Sequence, residues 1–303
     1  MIKKQRYVRM YFNELVNSIE LNKYSVHGLE VYLNGGIVHS YGDTQDKRYP
    51  IYSATKTITS IAVGMAVDEK KLSIDKPILF YIPESVRVKL PTSYIKVYET
   101  INIIDLLTMS VKGFPFRPKG DSWLKDAFSY PVNVPGDGKV YYSNISAYLV
   151  GVATSYAVGE HLYEYLNRKL FAPLGIVNPA YGSCPDGYFY GASHMKLTVN
   201  ELSSIGLLLY NKGMFENKRI LSEEYIANAT CFSGNNHVAF DGGSEKKRDY
   251  GYLIWSYRDS FSMNGKWGQK CLILPEQKKV ITYLSSMENN SEKFMECIEK
   301  YLL

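Results

Sequence analysis

Ser53 and Lys56 stand three residues apart in Ser53-Ala54-Thr55-Lys56, where a β-rich stretch gives way to a strongly apolar one. On a helix these positions share a face, so the hydroxyl and the amine can meet. A serine hydroxyl is a weak nucleophile and needs an adjacent base. A lysine can be that base where burial and a helix N-terminus lower its pKa. The chemistry implied is acyl transfer through a serine ester. The same spacing recurs at Ser73/Lys76, Ser93/Lys96, Ser122/Lys125, Ser193/Lys196 and Ser244/Lys247. Context singles out Ser53, which opens an apolar helix at a strand-to-helix junction; the competing role for a serine there is a helix cap. Rival catalytic patterns are absent: there is no Gly-x-Ser-x-Gly and no His-Glu-x-x-His. His27, His39, His161, His194 and His237 show no ligand spacing, and Cys184, Cys231, Cys271 and Cys297 include no Cys-x-x-Cys. No metal site is signalled. His194, and His237 with the Gly242-Gly243 loop, are expected at the rim of a cleft.

The elements that must position the pair follow from periodicity. Val8, Tyr11, Phe12, Leu15, Val16 and Ile19 recur at helical spacing. The runs 27–33 and 37–41 flank Asn34-Gly35-Gly36 and predict a hairpin, because Asn and Gly tolerate positive φ. Residues 54–70 predict a helix with Ile58, Ile61, Ala62, Met65 and Ala66 as its apolar stripe. Residues 72–200 are mostly helical pieces and loops, and 200–210 is a helix with Asn200 as a candidate cap. Gly251–Trp255, Lys270–Leu274 and Lys279–Leu284 predict three strands, and 292–302 a closing helix. Strands near both ends of the chain can pair into one antiparallel sheet. The expected organisation is therefore a sheet lobe from 1–60 and 200–303, with a mostly helical lobe from 61–199.

Composition is that of an ordinary globular chain: 303 residues, 46% hydrophobic, 21% charged, net charge +5. The basic clusters Lys3-Lys4-Gln5-Arg6 and Lys246-Lys247-Arg248 interleave with no nucleic-acid-binding motif. Residues 7–20 are broken by Arg9, Asn13, Glu14 and Asn17, so no signal peptide is expected, and no window is apolar enough to span a membrane. These features point to a cytoplasmic chain that binds neither nucleic acid nor membrane.

Several stretches together resemble the serine β-lactamase and penicillin-binding-protein superfamily. They are Tyr52-Ser53-Ala54-Thr55-Lys56-Thr57-Ile58-Thr59-Ser60, the run from Asp68 to Pro77, Tyr81-Ile82-Pro83-Glu84, and the run from Ile101 to Ser110. Gly191-Ala192-Ser193-His194-Met195, Asn200-Glu201-Leu202 and the run from Arg219 to Tyr225 continue the resemblance. It is greatest to the class C-like branch, which includes family VIII esterases and nylon-oligomer hydrolases. That resemblance implies an α/β (α+β) fold of the β-lactamase/transpeptidase type: an antiparallel sheet flanked by helices, plus a mostly helical lobe. It implies a Tyr-x-Asn motif, matched by Tyr142-Ser143-Asn144, in which Tyr142 relays protons and Asn144 orients Lys56 and binds a substrate carbonyl. It implies a third motif, matched in relaxed form by Lys266-Trp267-Gly268-Gln269, where the amides of Ser53 and Gln269 form an oxyanion hole. Trp267 stands where the family carries threonine, which weighs against recognition of a β-lactam carboxylate.

Three functions compete on this basis. One is a serine esterase or amidase acting on a small substrate without a cofactor. A second is a β-lactamase or D-alanyl-D-alanine carboxypeptidase, disfavoured by the missing signal peptide and by Trp267. The third is a non-catalytic, penicillin-binding-like protein. The aromatics Phe114, Phe116, Trp123 and Phe128 are expected to pack a lobe rather than wall a substrate site.

Overall fold

The computed structural model describes residues 2–232, 237–238 and 248–303, with backbone alone for 2–9, 237–238 and 248. Helix α1 (Ile2–Leu21) leads into strands β1 (Val26–Leu33) and β2 (Gly36–Gly42). The turn between them has Asn34 at φ 53° and Gly35 at φ 79°, the left-handed pair that a two-residue hairpin demands. A short strand β3 (Tyr49–Pro50) pairs with β4 (Lys196–Leu197), and helix α2 (Thr55–Asp68) follows a single 3₁₀ turn at Tyr52–Ala54. Short helices fill much of the stretch up to α3 (Asn144–Val158), and α4 (Val199–Tyr210) follows β4. Strands β5 (Trp255–Tyr257), β6 (Ser260–Gly265), β7 (Gln269–Leu274) and β8 (Lys279–Ser285) precede the last helix, α5 (Ser291–Leu302). The main sheet is antiparallel in the order β2-β1-β8-β7-β6-β5.

Each face of the sheet carries helices. Leu29, Val31, Leu272, Leu274, Ile281 and Tyr283 meet Phe12, Leu15 and Ile19 of α1 and Phe294 and Ile298 of α5. The opposite face, with Cys271, Ile273 and Val280, joins a larger cluster containing Ile58, Ile61, Leu149, Val152, Leu202 and Ile205. That second cluster runs without a break from the sheet into the helices around α2 and α3.

Three expectations need correction. The three strands expected after residue 250 are four, because Ser260–Gly265 is also a strand, and Gly251–Ile254 is irregular rather than strand, with Leu253 buried at φ 56°. Helix α2 is buried on every side from Thr55 to Ala66, not along one stripe, because α3 and the sheet enclose it together. Helix α4 is capped by Thr198, whose hydroxyl accepts from the Glu201 amide at 3.0 Å while the Glu201 carboxylate accepts from the Thr198 amide at 2.9 Å. Asn200 instead donates to Glu30 and Tyr32. Among the described residues no helix is long and apolar enough to cross a membrane.

Candidate active site

Ser53 sits in the 3₁₀ turn between β3 and α2. Ile51 is held by its amide to the Met195 carbonyl at 3.0 Å. Tyr52 then takes φ 45°, an unfavourable value for a bulky side chain. This reversal presents Ser53 at the head of the helix. Ser53 is the cap residue of neither the 3₁₀ turn nor α2, whose N-caps are Ile51 and Ala54. Its hydroxyl accepts from Lys56 Nζ at 3.0 Å, so the i, i+3 spacing brings the two groups together.

Lys56 is 1% exposed, and among the described residues its amine has no carboxylate partner. Its other hydrogen bond is to the Ala192 carbonyl at 2.9 Å, and Nζ lies 4.8 Å from the centre of the Tyr142 ring. Burial disfavours the charged form and lowers its pKa to about 7. Ala192 is held in place from the same helix: Thr59 donates to the neighbouring Gly191 carbonyl at 2.7 Å.

Tyr142 arrives from the other side. Ser143 caps α3, accepting from the Ile145 amide at 3.0 Å and donating to the Pro115 carbonyl at 2.7 Å. Tyr142, just before the cap, is thereby fixed against Ser53, to which its hydroxyl is hydrogen-bonded. Burial raises its pKa to about 12, against the opposing effect of the Ser53 bond. At neutral pH Tyr142 therefore holds its proton, whereas Lys56 is close to half neutral. One hydroxyl touches both a poised base and a proton donor, the arrangement that nucleophilic acyl transfer requires.

The other expected site residues lie at different distances from this centre. Asn144 donates its side-chain amide to the Tyr190 hydroxyl at 2.9 Å, and its buried Oδ1 accepts no hydrogen bond among the described residues. It makes no hydrogen bond to Lys56, whose donors go to Ser53 and Ala192. Trp267, at φ 63°, sets its indole edge-on to Tyr52 with centroids 5.2 Å apart. Exposed Lys266 lies over that indole at 4.6 Å. Gly268, at φ 82°, leaves no room for a side chain, since a Cβ would fall 2.5 Å from Ser285 Oγ. Gln269 begins β7, a strand with neighbours on both sides, and its side chain is spent within the protein. Its Nε2 donates to the Ser285 carbonyl at 2.6 Å and the Lys266 carbonyl at 3.1 Å, while Oε1 accepts from the Ser285 amide at 3.1 Å. Ser285 Oγ in turn donates to the Trp267 carbonyl at 2.7 Å. Gln269 and Ser285 thus clamp the turn that holds Trp267 against Tyr52.

Several residues around the centre, Phe116 excepted, are not marked out by the sequence. Strand β6 lies beside the Ser53 turn: a Cβ on Gly265 would sit 2.2 Å from the Ile51 carbonyl oxygen. Strand β5 pairs with β6 only from Ser260 to Ser262, and among the described residues no strand pairs with that edge toward Gly265. Trp255 stacks on Tyr142 at 5.6 Å, Tyr250 meets it edge-on at 5.9 Å, and Phe116 lies roughly parallel to it at 6.5 Å. Nothing distinguishes Tyr190 or Tyr250 among 27 tyrosines in sequence. Of the expected aromatics, Phe128 is a buried core residue, whereas Phe116 is 60% exposed. His194 takes φ 72°, and its ring lies 5.2 Å from that of Tyr190, the partner of Asn144. The side chain of His237 and the Gly242-Gly243 loop lie outside the described residues. No three His, Cys, Asp or Glu side chains gather as metal ligands among the described residues.

A sheet sandwiched by helices, with the Ser-x-x-Lys turn beside its edge, is the architecture of β-lactamase and penicillin-binding-protein folds. The chain belongs to the β-lactamase family, whose model matches residues 23–301. A 6-aminohexanoate-dimer hydrolase of Paenarthrobacter ureafaciens is 19% identical over 273 residues, covering 81% of this chain and 68% of its own length. A penicillin-binding protein homologue from Caulobacter crescentus superposes with TM-score 0.74 at 13% identity, over 98% of this chain and 97% of that one. A β-lactamase/D-alanine carboxypeptidase from Pseudomonas syringae does so with TM-score 0.71 at 15% identity, over 98% and 99%. At these identities the solved structures establish the fold.

Proposed function

We propose that the protein is a serine hydrolase that forms an acyl-enzyme at Ser53 from a small ester or amide. The observation that carries this reading is the meeting of Lys56 and Tyr142 on the Ser53 hydroxyl, with the lysine buried and its pKa near neutrality. Lys56 takes the Ser53 proton as Oγ attacks the acyl carbon. Tyr142 gives its proton to the departing oxygen or nitrogen and regains one from Lys56. Water then attacks the ester and releases the acid. Tyr142 and Lys56 act as a relay, the lysine serving as the base because the tyrosine stays protonated at neutral pH.

The oxyanion is held by the Ser53 amide and by an amide from β6. The β5–β6 hairpin closes on Tyr257 and Ser260 across two residues, so the amides of Ser260 and Ser262 face β5. By alternation the Asn264 amide faces the uncovered edge beside the Ser53 turn. This supports Asn264, rather than the in-sheet Gln269, as the second donor. Asn144, fixed by Tyr190, keeps a free buried carbonyl oxygen that suits a substrate N–H. Lys266 and Trp267 stand at the rim, where they meet the substrate's outer portion.

Intact-mass measurement tests the reading. Incubation with p-nitrophenyl acetate or a fluorophosphonate adds one acyl or phosphonyl group to the wild type and none to Ser53→Ala. Turnover of p-nitrophenyl acetate by Ser53→Ala at the wild-type rate refutes it. A long-lived adduct with a labelled penicillin instead favours the penicillin-binding alternative.

A further inference from the structure

Phe116 is a large apolar side chain left 60% exposed beside the centre of the site. Its ring lies 6.5 Å from that of Tyr142 at an interplanar angle of 23°. Two further aromatic neighbours of Tyr142 among the described residues, Trp255 and Tyr250, are 9% and 1% exposed and belong to the core. Exposure does not mean looseness here. The Phe116 carbonyl accepts from the Asn144 amide at 2.8 Å, and the preceding Pro115 carbonyl accepts from Ser143 Oγ at 2.7 Å. The segment carrying Phe116 is therefore pinned to Ser143 and Asn144, the two residues that follow the proton donor Tyr142, and the ring is held largely exposed to solvent.

We propose that Phe116 forms the wall of a leaving-group subsite that favours an alcohol or amine with an apolar, preferably aromatic, body. The inference rests on the Ser53–Tyr142 reading above. In acylation the Ser53 Oγ–carbon bond forms and the bond to the leaving oxygen or nitrogen breaks. The Ser53 proton passes to Lys56, the Tyr142 proton passes to the leaving atom, and Lys56 restores it to Tyr142. The leaving atom must therefore approach Tyr142, and the carbon attached to it lies alongside the Phe116 ring. An apolar group there covers the exposed ring and removes its surface from water. This preference is assigned to the leaving group and none to the acyl group.

The test compares esters with one acyl group and two alkoxide leaving groups, benzyl acetate and methyl acetate. The wild type prefers benzyl acetate by about tenfold in kcat/KM, the scale of one apolar contact in a specificity site. Phe116→Ala brings that ratio near unity, Phe116→Tyr keeps it, and the methyl butyrate to methyl acetate ratio is unchanged in both variants. No benzyl preference in the wild type, or one that survives Phe116→Ala, overturns the proposal. So does a parallel change in the butyrate to acetate ratio, which would mark a general disturbance of the site. Absence of a Ser53 adduct with p-nitrophenyl acetate is a different failure, since it removes the acyl-enzyme reading itself.

Discussion

Burial of Lys56 carries a cost in stability that can be measured. Its pKa falls from 10.5 to about 7 through desolvation. Each pKa unit is worth about 1.4 kcal/mol, so the displacement corresponds to about 5 kcal/mol. Below pH 7 both folded and unfolded chains hold the proton, and the folded state bears the full cost. Above pH 7 the folded chain binds fewer protons than the unfolded one, so stability rises with pH until the unfolded lysine also titrates near 10.5. Lys56→Met keeps the length of the side chain and removes the ionisable group. It also strands the Ala192 carbonyl, a loss of about 1–3 kcal/mol that does not depend on pH. The variant is therefore expected to be more stable than the wild type at pH 7. Its advantage shrinks by about 1.4 kcal/mol per unit between pH 7 and 10. Urea unfolding of both proteins at each integer pH measures the difference, and the remaining lysines cancel. A difference that stays constant across this range refutes the argument that Lys56 is held neutral by burial. The same pKa makes kcat/KM rise with pH about a midpoint near 7. An unshifted lysine would be neutral in only about one molecule in 3,000 at that pH.

Other perturbations separate the parts of the site. Tyr142→Phe keeps the ring but loses the relay hydroxyl, and is expected to lower kcat for alkyl esters by about 10²–10⁴-fold. It should slow p-nitrophenyl esters much less, because their leaving group needs no proton; steady-state rates on the two ester types check this. Gln269→Leu leaves the Ser285 backbone groups without their side-chain partner, and a loss of about 1–3 kcal/mol in stability is expected. If the clamp acts through Trp267 and Tyr52, kcat falls while KM holds, and equal loss in Ser285→Ala supports the same path. Gly265→Ala drives a methyl group into the Ile51 carbonyl. Slower labelling of Ser53 by a fluorophosphonate, alongside a lower melting temperature, is the expected result.

Much of this was legible where local chemistry decides structure. Asn34-Gly35 could make only a tight left-handed turn, and the strands on either side paired in consequence. Ser53 and Lys56 lay on one helical face whatever the rest of the chain did. The Thr198–Glu201 capping box was written in the sequence as well, and Asn200 drew attention from it because asparagine also caps helices. Strand β6 was hidden for a different reason. Ser260-Phe261-Ser262-Met263-Asn264-Gly265 has few β-branched residues, and its strand character comes from being wedged between β5 and β7. Helix α2 was misjudged because Thr55, Thr57, Thr59 and Ser60 look like a solvent face. Each is buried, and their hydroxyls bond to Tyr52, Leu253, Gly191 and Tyr225.

That last departure bears on the chemistry. A helix with a wet face would leave Lys56 near water and fully charged. The hydroxyl-bearing face lets α2 be buried on all sides while its polar groups still find partners, since each threonine or serine can bond to a neighbouring segment. One of those bonds, from Thr59 to Gly191, holds the strand of backbone whose next carbonyl, Ala192, accepts from Lys56. The residues that look least suited to a core therefore exclude water from the lysine and fix its second hydrogen bond. The low pKa is a property of the whole buried helix, not of the Ser-x-x-Lys spacing, which is why five other copies of that spacing in the chain do not by themselves make a site.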